Sequence, residues 1–374
     1  LSFPGLPGPL PTEAVRRSVE ACLQDGSWAR YDPERTERVE NRLCRYLDTR
    51  HALLVQSGTL AVELGLQALG VKPGGLVALP AYDYPGNFHS VHALGAKPLL
   101  VDVRGDSPQM CAQRLEMALQ GARREGATVQ AVLVSHLYGG MADVVQIGKI
   151  CRENQVPWLE DACQCFGATY NGKRLGTFAN IGVYSFGGGK PISVGRGGLL
   201  VSDDATFRQR AWLKVSRGSA LATPSPLQLA ALEPQLDEHD ARMADRNYQV
   251  AQIQGFLGKS GQPQLINSPE NSTETSPDAY KPVFYRIPVW LSTGMEPSGV
   301  IRKGKAGGFP PLGEGFRALH LGRSTHRWKA YGALDQSEGA QKRLILIDPE
   351  CFRVWSIGEV GARLQAVFPE KIGE

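Results

Sequence analysis

Residues Gly182–Gly198, GVYSFGGGKPISVGRGG, run from a short apolar strand into three glycines and a lysine. A second glycine-rich turn and the start of another strand follow. A surface lysine needs no such surroundings, although glycine-rich turns containing lysine are common. A Walker phosphate loop would need G-x-x-x-x-G-K-[ST] leading into a helix. Here Pro191 follows Lys190 and a strand comes next, so that loop is excluded.

Outward from this stretch, the first 200 residues alternate strand-like and helix-like segments. Strands are expected at His51–Ser57, Leu76–Tyr82, Pro98–Val103, Gln130–His136, Trp158–Ala162, Ile181–Phe186 and Gly198–Ser202. Most are apolar on both faces, as strands covered by helices on each side must be. Helix-length segments lie between several of them, at Leu60–Leu69, Met110–Arg124 and Val144–Asn154. The alternation predicts a three-layer α/β/α domain on a mainly parallel, seven-stranded sheet. A long helix is expected from Pro226 to about Gly258, kinked near Pro234, then a polar connection over Lys259–Asp278. Strands near Phe284–Leu291 and Arg343–Ile347 and a Ser-capped helix at Ser356–Val367 complete a smaller α+β domain. The expected division is 1–255 for the large domain and 256–374 for the small one.

Composition narrows the function classes. A net charge of +4 on 374 residues, without a dense Lys/Arg tract, argues against nucleic acid as a partner. No apolar run reaches membrane-spanning length, and the N-terminal LSFPGLPGPLPTEAVRR lacks the pattern of a signal peptide. Seven cysteines, an odd number without C-x-x-C pairs, read as free thiols in a reducing cytoplasm. Cys163 and Cys165 are two apart, so on a strand they would share a face, but no further Cys/His cluster accompanies them as metal ligands.

Two more segments carry chemistry. In Val55–Gly70, VQSGTLAVELGLQALG, a strand meets a helix at Ser57-Gly58-Thr59. Free N–H groups and two hydroxyls at a helix N-terminus suit a phosphate, although Ser at such a position is often only a cap. In Leu159–Ala168, LEDACQCFGA, Glu160 and Asp161 end an apolar strand where open α/β sheets bind ligands. A capping or salt-bridged acid would look the same. Together with Lys190, these segments offer what a pyridoxal phosphate (PLP) site needs: an amine, a carboxylate for the pyridine nitrogen and an anion cradle.

At this point the chain resembles the DegT/DnrJ/EryC1/StrS family, sugar aminotransferases of PLP fold type I. The resemblance rests on QSGTLAVELGL, LPAYDYPGNFHSVHALGAKPLLVDV, SHLYGGMADV, LEDACQCFGATYNGKRLGTFANIGVYSFGGGKP and GRGGLLVSDD, in this order. It implies that Lys190 forms the Schiff base with PLP and then shuttles a proton. Asp161 would hold the pyridine nitrogen protonated, and Gln164 would lie near the ring and its hydroxyl. Ser185, Gly58 and Thr59, with Ser57 beside them, would take the phosphate, and Tyr84 would stack on the ring. It further implies a homodimer with the site at its interface, and pyridoxamine phosphate as the intermediate between two half-reactions. Glutamate or glutamine would be the amino donor, and a keto-sugar or keto-cyclitol of amino-sugar or secondary-metabolite biosynthesis the acceptor.

Two departures qualify the resemblance. The family's GEGG is GRGG here, with Arg196 in the acidic position. The family's N-Y-R-M stretch, whose Asn reaches the partner's phosphate, is replaced by Leu221-Ala222-Thr223-Pro224 in a loop shortened between Arg217 and Pro226. A smaller acceptor than a nucleotide-linked sugar is therefore expected. Arg196, Arg217 and the IRKGK run at Ile301–Lys305 read either as contacts to an anionic substrate or as solvated charges. His136 reads as a packing residue, and His89 and His92 sit on the helix after Tyr84 without an assigned role. The rival readings are another PLP reaction (elimination, decarboxylation or dehydration) and a non-catalytic PLP-binding regulator.

Overall fold

Strands that are apolar on both faces can be stable only inside a sheet covered on both sides, and they pair in that way. The computed structural model describes residues 10–216, 222–257, 264–265, 279–309 and 311–368. In chain order the first strands are β1 (His51–Val55), β2 (Leu76–Pro80), β3 (Lys97–Val101), β4 (Val129–Ser135) and β5 (Trp158–Asp161). A short pair follows, β6 (Thr169–Tyr170) and β7 (Lys173–Arg174), then β8 (Ile181–Ser185) and β9 (Gly198–Ser202). Leaving out the short pair, they form one seven-stranded sheet in the order β1-β9-β8-β5-β4-β2-β3. Only β9 runs against its neighbours, so the sheet is mainly parallel as expected.

The helices of this part are α1 (Glu13–Gln24), α2 (Pro33–Leu47), α3 (Gly58–Ala68), α4 (Pro85–Ala93), α5 (Ala112–Arg124), α6 (Val144–Glu153), α7 (Ala205–Val215) and α8 (Pro226–Leu257). Successive strand residues point to opposite faces. Leu54, Ala78, Val132 and Val134 accordingly pack toward α2, α5, α6 and the first half of α8. Leu53, Val55, Val77 and Leu133 pack toward α3 and α4. Each fully buried Leu or Val contributes about 1.5–3 kcal/mol, and the two cores clamp the sheet from both sides. At Gly65 an added Cβ would lie 2.5 Å from Leu159, so a glycine is what lets α3 lie this close to β5.

The remaining elements are β10 (Gln264–Leu265), β11 (Tyr280–Lys281), β12 (Ile287–Trp290), α9 (Pro297–Ala306), β13 (Leu312–Glu314), α10 (Asp335–Arg343), β14 (Leu344–Ile347) and α11 (Ile357–Val367). A four-stranded antiparallel sheet, β10-β12-β14-β13, buries Ile287, Val289, Ile345 and Ile347 against α11 and the end of α8. Ser356 caps α11 in a reciprocal box with Glu359. Connections cross the expected division at 255/256. Strand β11 pairs with β6, and Leu319 and Leu334 belong to the core beneath α3 and α4.

Several strand ends fall short of the sequence expectation because the following residues already turn. Gln56 and Ser57 leave β1 to open α3, and Ser57 Oγ accepts the Leu60 N–H at 3.1 Å. Helix α8 carries Pro234 inside a single continuous run. Apart from 264–265, the expected connection Lys259–Asp278 lies outside the described residues, as do Arg217 and Leu221. None of the described helices is long and apolar enough to cross a membrane.

Candidate active site

The two acids that end β5 point to opposite sides because side chains alternate along a strand. Glu160 is wholly buried and accepts the N–H groups of Gly176, Phe178 and Ala179. It also pairs with His136 Nε2 at 2.8 Å, while His136 Nδ1 accepts the Ala142 N–H. That pattern puts a proton on Nε2 and locks the wholly buried ring in place, the packing role the sequence suggested. Asp161 faces the other way, into a cavity of about 340 Å³. Its Oδ1 accepts the Cys163 N–H at 3.0 Å, and its Oδ2 accepts the amide of Asn87 at 2.8 Å.

All eight expected residues line this cavity: Ser57, Gly58, Thr59, Tyr84, Asp161, Gln164, Ser185 and Lys190. The first turn of α3 opens into it, and first-turn N–H groups have no intrahelical acceptor. A Cβ on Gly58 would lie 2.8 Å from Ser185 Cβ and 3.2 Å from its Oγ, so the hydroxyl stands beside the helix end. Glycine at 198 is equally needed. A Cβ there would come within 2.3 Å of the Ser57 carbonyl, so only glycine lets β9 press against the turn.

Lys190 rides on the loop between β8 and β9. Gly189 (φ +77°) and Gly195 (φ +78°) adopt the left-handed conformation that the two turns require. The Gly188 N–H reaches the Gly195 carbonyl at 3.1 Å, which ties the turns together. Lys190 Nζ lies 4.0 Å from the ring centroid of Tyr285, which also lines the cavity. Gln164 Oε1 accepts the Tyr138 N–H at 3.1 Å, which leaves its amide N–H groups to donate. Tyr84 precedes α4 with 44% of its surface exposed, its ring laid over Gly86.

Sequence reasoning missed Asn87, Ser135, Asp83 and Tyr285. Asn87 Nδ2 bonds Asp161 Oδ2, Asp83 Oδ2 (3.0 Å) and Ser135 Oγ (3.1 Å), and Ser135 donates to Asp83 at 3.0 Å. Burial, with the charge of Asp161 adding to it, pushes the Asp83 carboxyl up to about 8. One signal was available: a turn of α4 puts Asn87 beneath Tyr84. Arg196 lines the cavity, whereas 301–305 lies in α9, away from it. Burial holds the Cys163 and Cys165 thiols well above their usual range. Among the described residues no group of His, Cys, Asp and Glu could hold a metal.

Residues 11–254 match the profile of the DegT/DnrJ/EryC1/StrS aminotransferase family. GDP-perosamine synthase of Vibrio cholerae is 29% identical over 188 residues, 50% of this chain and 49% of that protein. The chain thus spans about half the length of that relative. 3-Amino-5-hydroxybenzoate synthase of Amycolatopsis mediterranei (strain S699) is 28% identical over 353 residues, covering 88% of this chain and 85% of that one. L-Glutamine:2-deoxy-scyllo-inosose aminotransferase of Streptomyces lividus is 28% identical over 294 residues, 71% and 68%. In fold, the crystal structure of a DegT DnrJ EryC1 StrS aminotransferase from Brucella abortus superposes with a TM-score of 0.84 at 21% identity, covering 96% of each chain.

Proposed function

The chain belongs to the DegT/DnrJ/EryC1/StrS aminotransferase family. From that premise we propose that it is a PLP-dependent aminotransferase moving an amino group from glutamate or glutamine to a ketone on a sugar-like or cyclitol-like acceptor. The observation that carries this reading is that Lys190, Asp161 and the N-terminus of α3 open into one cavity. The names of the relatives, a perosamine synthase and an inosose aminotransferase among them, support the acceptor class.

The residues fit the cofactor. Phosphate is suited by the first-turn N–H groups of α3 and the hydroxyls of Thr59 and Ser185. Asp161 has one N–H on each oxygen and is 5% exposed, so its carboxylate is oriented and shielded from water. PLP, when bound, supplies an electron sink for the carbanion left when the donor loses its α-proton.

Each side chain then has a task. Lys190 Nζ would hold the cofactor, and as a free amine it would be the base that takes the proton from the donor's α-carbon and passes it on to the cofactor rather than back to that carbon. The Tyr285 ring beneath it steadies the amine when it carries charge. Asp161 would hold the cofactor's ring nitrogen and favour its protonated form. Gln164, with its Oε1 occupied by the Tyr138 N–H, would have its Nε2 free to donate to the cofactor, and Tyr84 would help to hold it from the cavity wall. Arg196 takes a substrate carboxylate or other anion. The partially exposed site is completed in a homodimer, and the seven unpaired cysteines fit a cytoplasmic setting.

An absorbance spectrum tests the proposal. The purified protein with PLP should show a band near the visible edge that glutamate or glutamine bleaches, with release of a 2-oxo acid. No band, or a band that no amino donor alters, would sink it. The second outcome would favour a binding protein without turnover.

A further inference from the structure

Behind Asp161 lies a second acid with no place in the reaction described above. Asp83 is 0% exposed, and Asn87 and Ser135 around it are 1% and 2% exposed. The Asn87 amide bridges the two acids, 2.8 Å from Asp161 Oδ2 and 3.0 Å from Asp83 Oδ2. Ser135 bonds Asp83 at 3.0 Å, and the Tyr84 N–H fixes its other oxygen at 2.7 Å. The groups acting on its ionisation are Asp161, Asn87, Ser135 and this N–H, with no cation among them. On another side stands the wholly buried Tyr138 phenol, whose ionisation Asp83 opposes.

Two carboxylates that share one donor in a dry site retain a proton between them. Asp161 lines the cavity, where a cationic ring nitrogen would balance it, whereas Asp83 is sealed behind it at 0% exposure with or without a cofactor. The proton therefore belongs to Asp83. We propose that Asp83, protonated, is a positioning residue that holds the Asp161 carboxylate against the cofactor's ring nitrogen through the shared amide of Asn87. The inference rests on the cofactor site proposed above. A protonated Asp83 anchors the Asn87 amide without repelling the Asp161 carboxylate that the same amide fixes. An ionised one competes for the same N–H groups and repels the carboxylate it should support.

Two measurements on the full chain test this. The first is thermal melting of the cofactor-free protein across pH, wild type against Asp83→Asn. A carboxyl raised from 3.8 to about 8 on folding favours the folded state fully below about pH 4 and loses that contribution as pH rises toward 8. The wild-type Tm should therefore fall relative to D83N by about 5 °C or more between pH 5 and 8. Parallel melting curves would overturn the assignment of the proton.

The second is PLP affinity at pH 7, from absorbance titration of variants whose melts show them folded. Asp83→Ala and Asn87→Leu, which cut the bridge, should weaken PLP binding about tenfold. D83N is neutral and, with its side-chain oxygen toward Asn87, keeps the bridge, so it should stay within about threefold of wild type. Tight binding by D83A, or equal losses in D83A and D83N, would overturn the positioning role. A wild type that binds PLP but is not bleached by any donor would contradict the aminotransferase reading and leave this one standing. A wild type that takes up no PLP would overturn both.

Discussion

At the scale of residues, two neighbouring acids on one strand separate function from stability. Asp161 opens into the cavity, whereas Glu160 staples the backbone of residues 176–179 to His136. Asp161→Asn should leave the fold close to wild type in a thermal melt and reduce turnover severely, because a neutral amide cannot hold the ring nitrogen protonated. Glu160→Gln should do the reverse. Its new NH2 group would face buried N–H donors, and losing hydrogen bonds to a charged acceptor costs about 1.5–3 kcal/mol. A urea titration of both variants checks the pair, and equal stabilities would contradict it. Lys190 belongs with Asp161. Its visible anchor is the Tyr285 ring, worth about 0.5–2 kcal/mol. Lys190→Ala should abolish transamination and the visible band while melting within a few degrees of wild type.

The elements show why part of this was legible in the sequence and part was not. The seven strands of the main sheet follow from short Val- and Leu-rich runs that are apolar on both faces, a local signal. Ser57-Gly58-Thr59 and the glycines around Lys190 are local too, since turn geometry demands particular residues. The family motifs then gave the roles their names. By contrast, Asp83, Asn87, Ser135 and Asp161 meet only because β2, α4, β4 and β5 are neighbours in the folded sheet, and no spacing announces such a meeting. Tyr285 reached the cavity from beyond α8 in the same way. Helices α1 and α2 were missed because each buries only a thin apolar stripe, Val15 and Cys22 in one and Val39, Leu43 and Leu47 in the other.

The contact between β9 and α3 gives an element-scale prediction. Gly198→Ala would push a methyl into the Ser57 carbonyl, backbone against backbone, with no flexible side chain to yield. Overpacking of this kind costs about 1–3 kcal/mol, and the displaced atoms belong to the proposed phosphate cradle. The variant should therefore weaken PLP binding at least as much as it lowers stability. Ser356→Ala, at the cap of α11, is the control: it should cost about 0.5–2 kcal/mol and leave PLP affinity unchanged.

At the scale of the whole molecule, the cavity couples parts of the chain that are far apart in sequence. Its walls come from α3, the start of α4, the ends of β4 and β5, the loop after β8 and Tyr285 beyond α8. A ligand that bridges these segments stabilises all of them at once, because it binds the folded chain and not the unfolded one. Removing PLP should thus lower the midpoint of a single cooperative transition rather than release one local segment. With free PLP at about a hundred times its Kd, the linkage amounts to about 2.7 kcal/mol, or several degrees in Tm for a chain of this size. Lys190→Ala should retain part of that shift, since the phosphate cradle and Asp161 are intact, whereas Gly198→Ala should lose most of it. Differential scanning calorimetry of PLP-loaded and PLP-free protein measures both. A midpoint that does not rise with PLP in the wild type would mean that these distant segments do not close around the cofactor together.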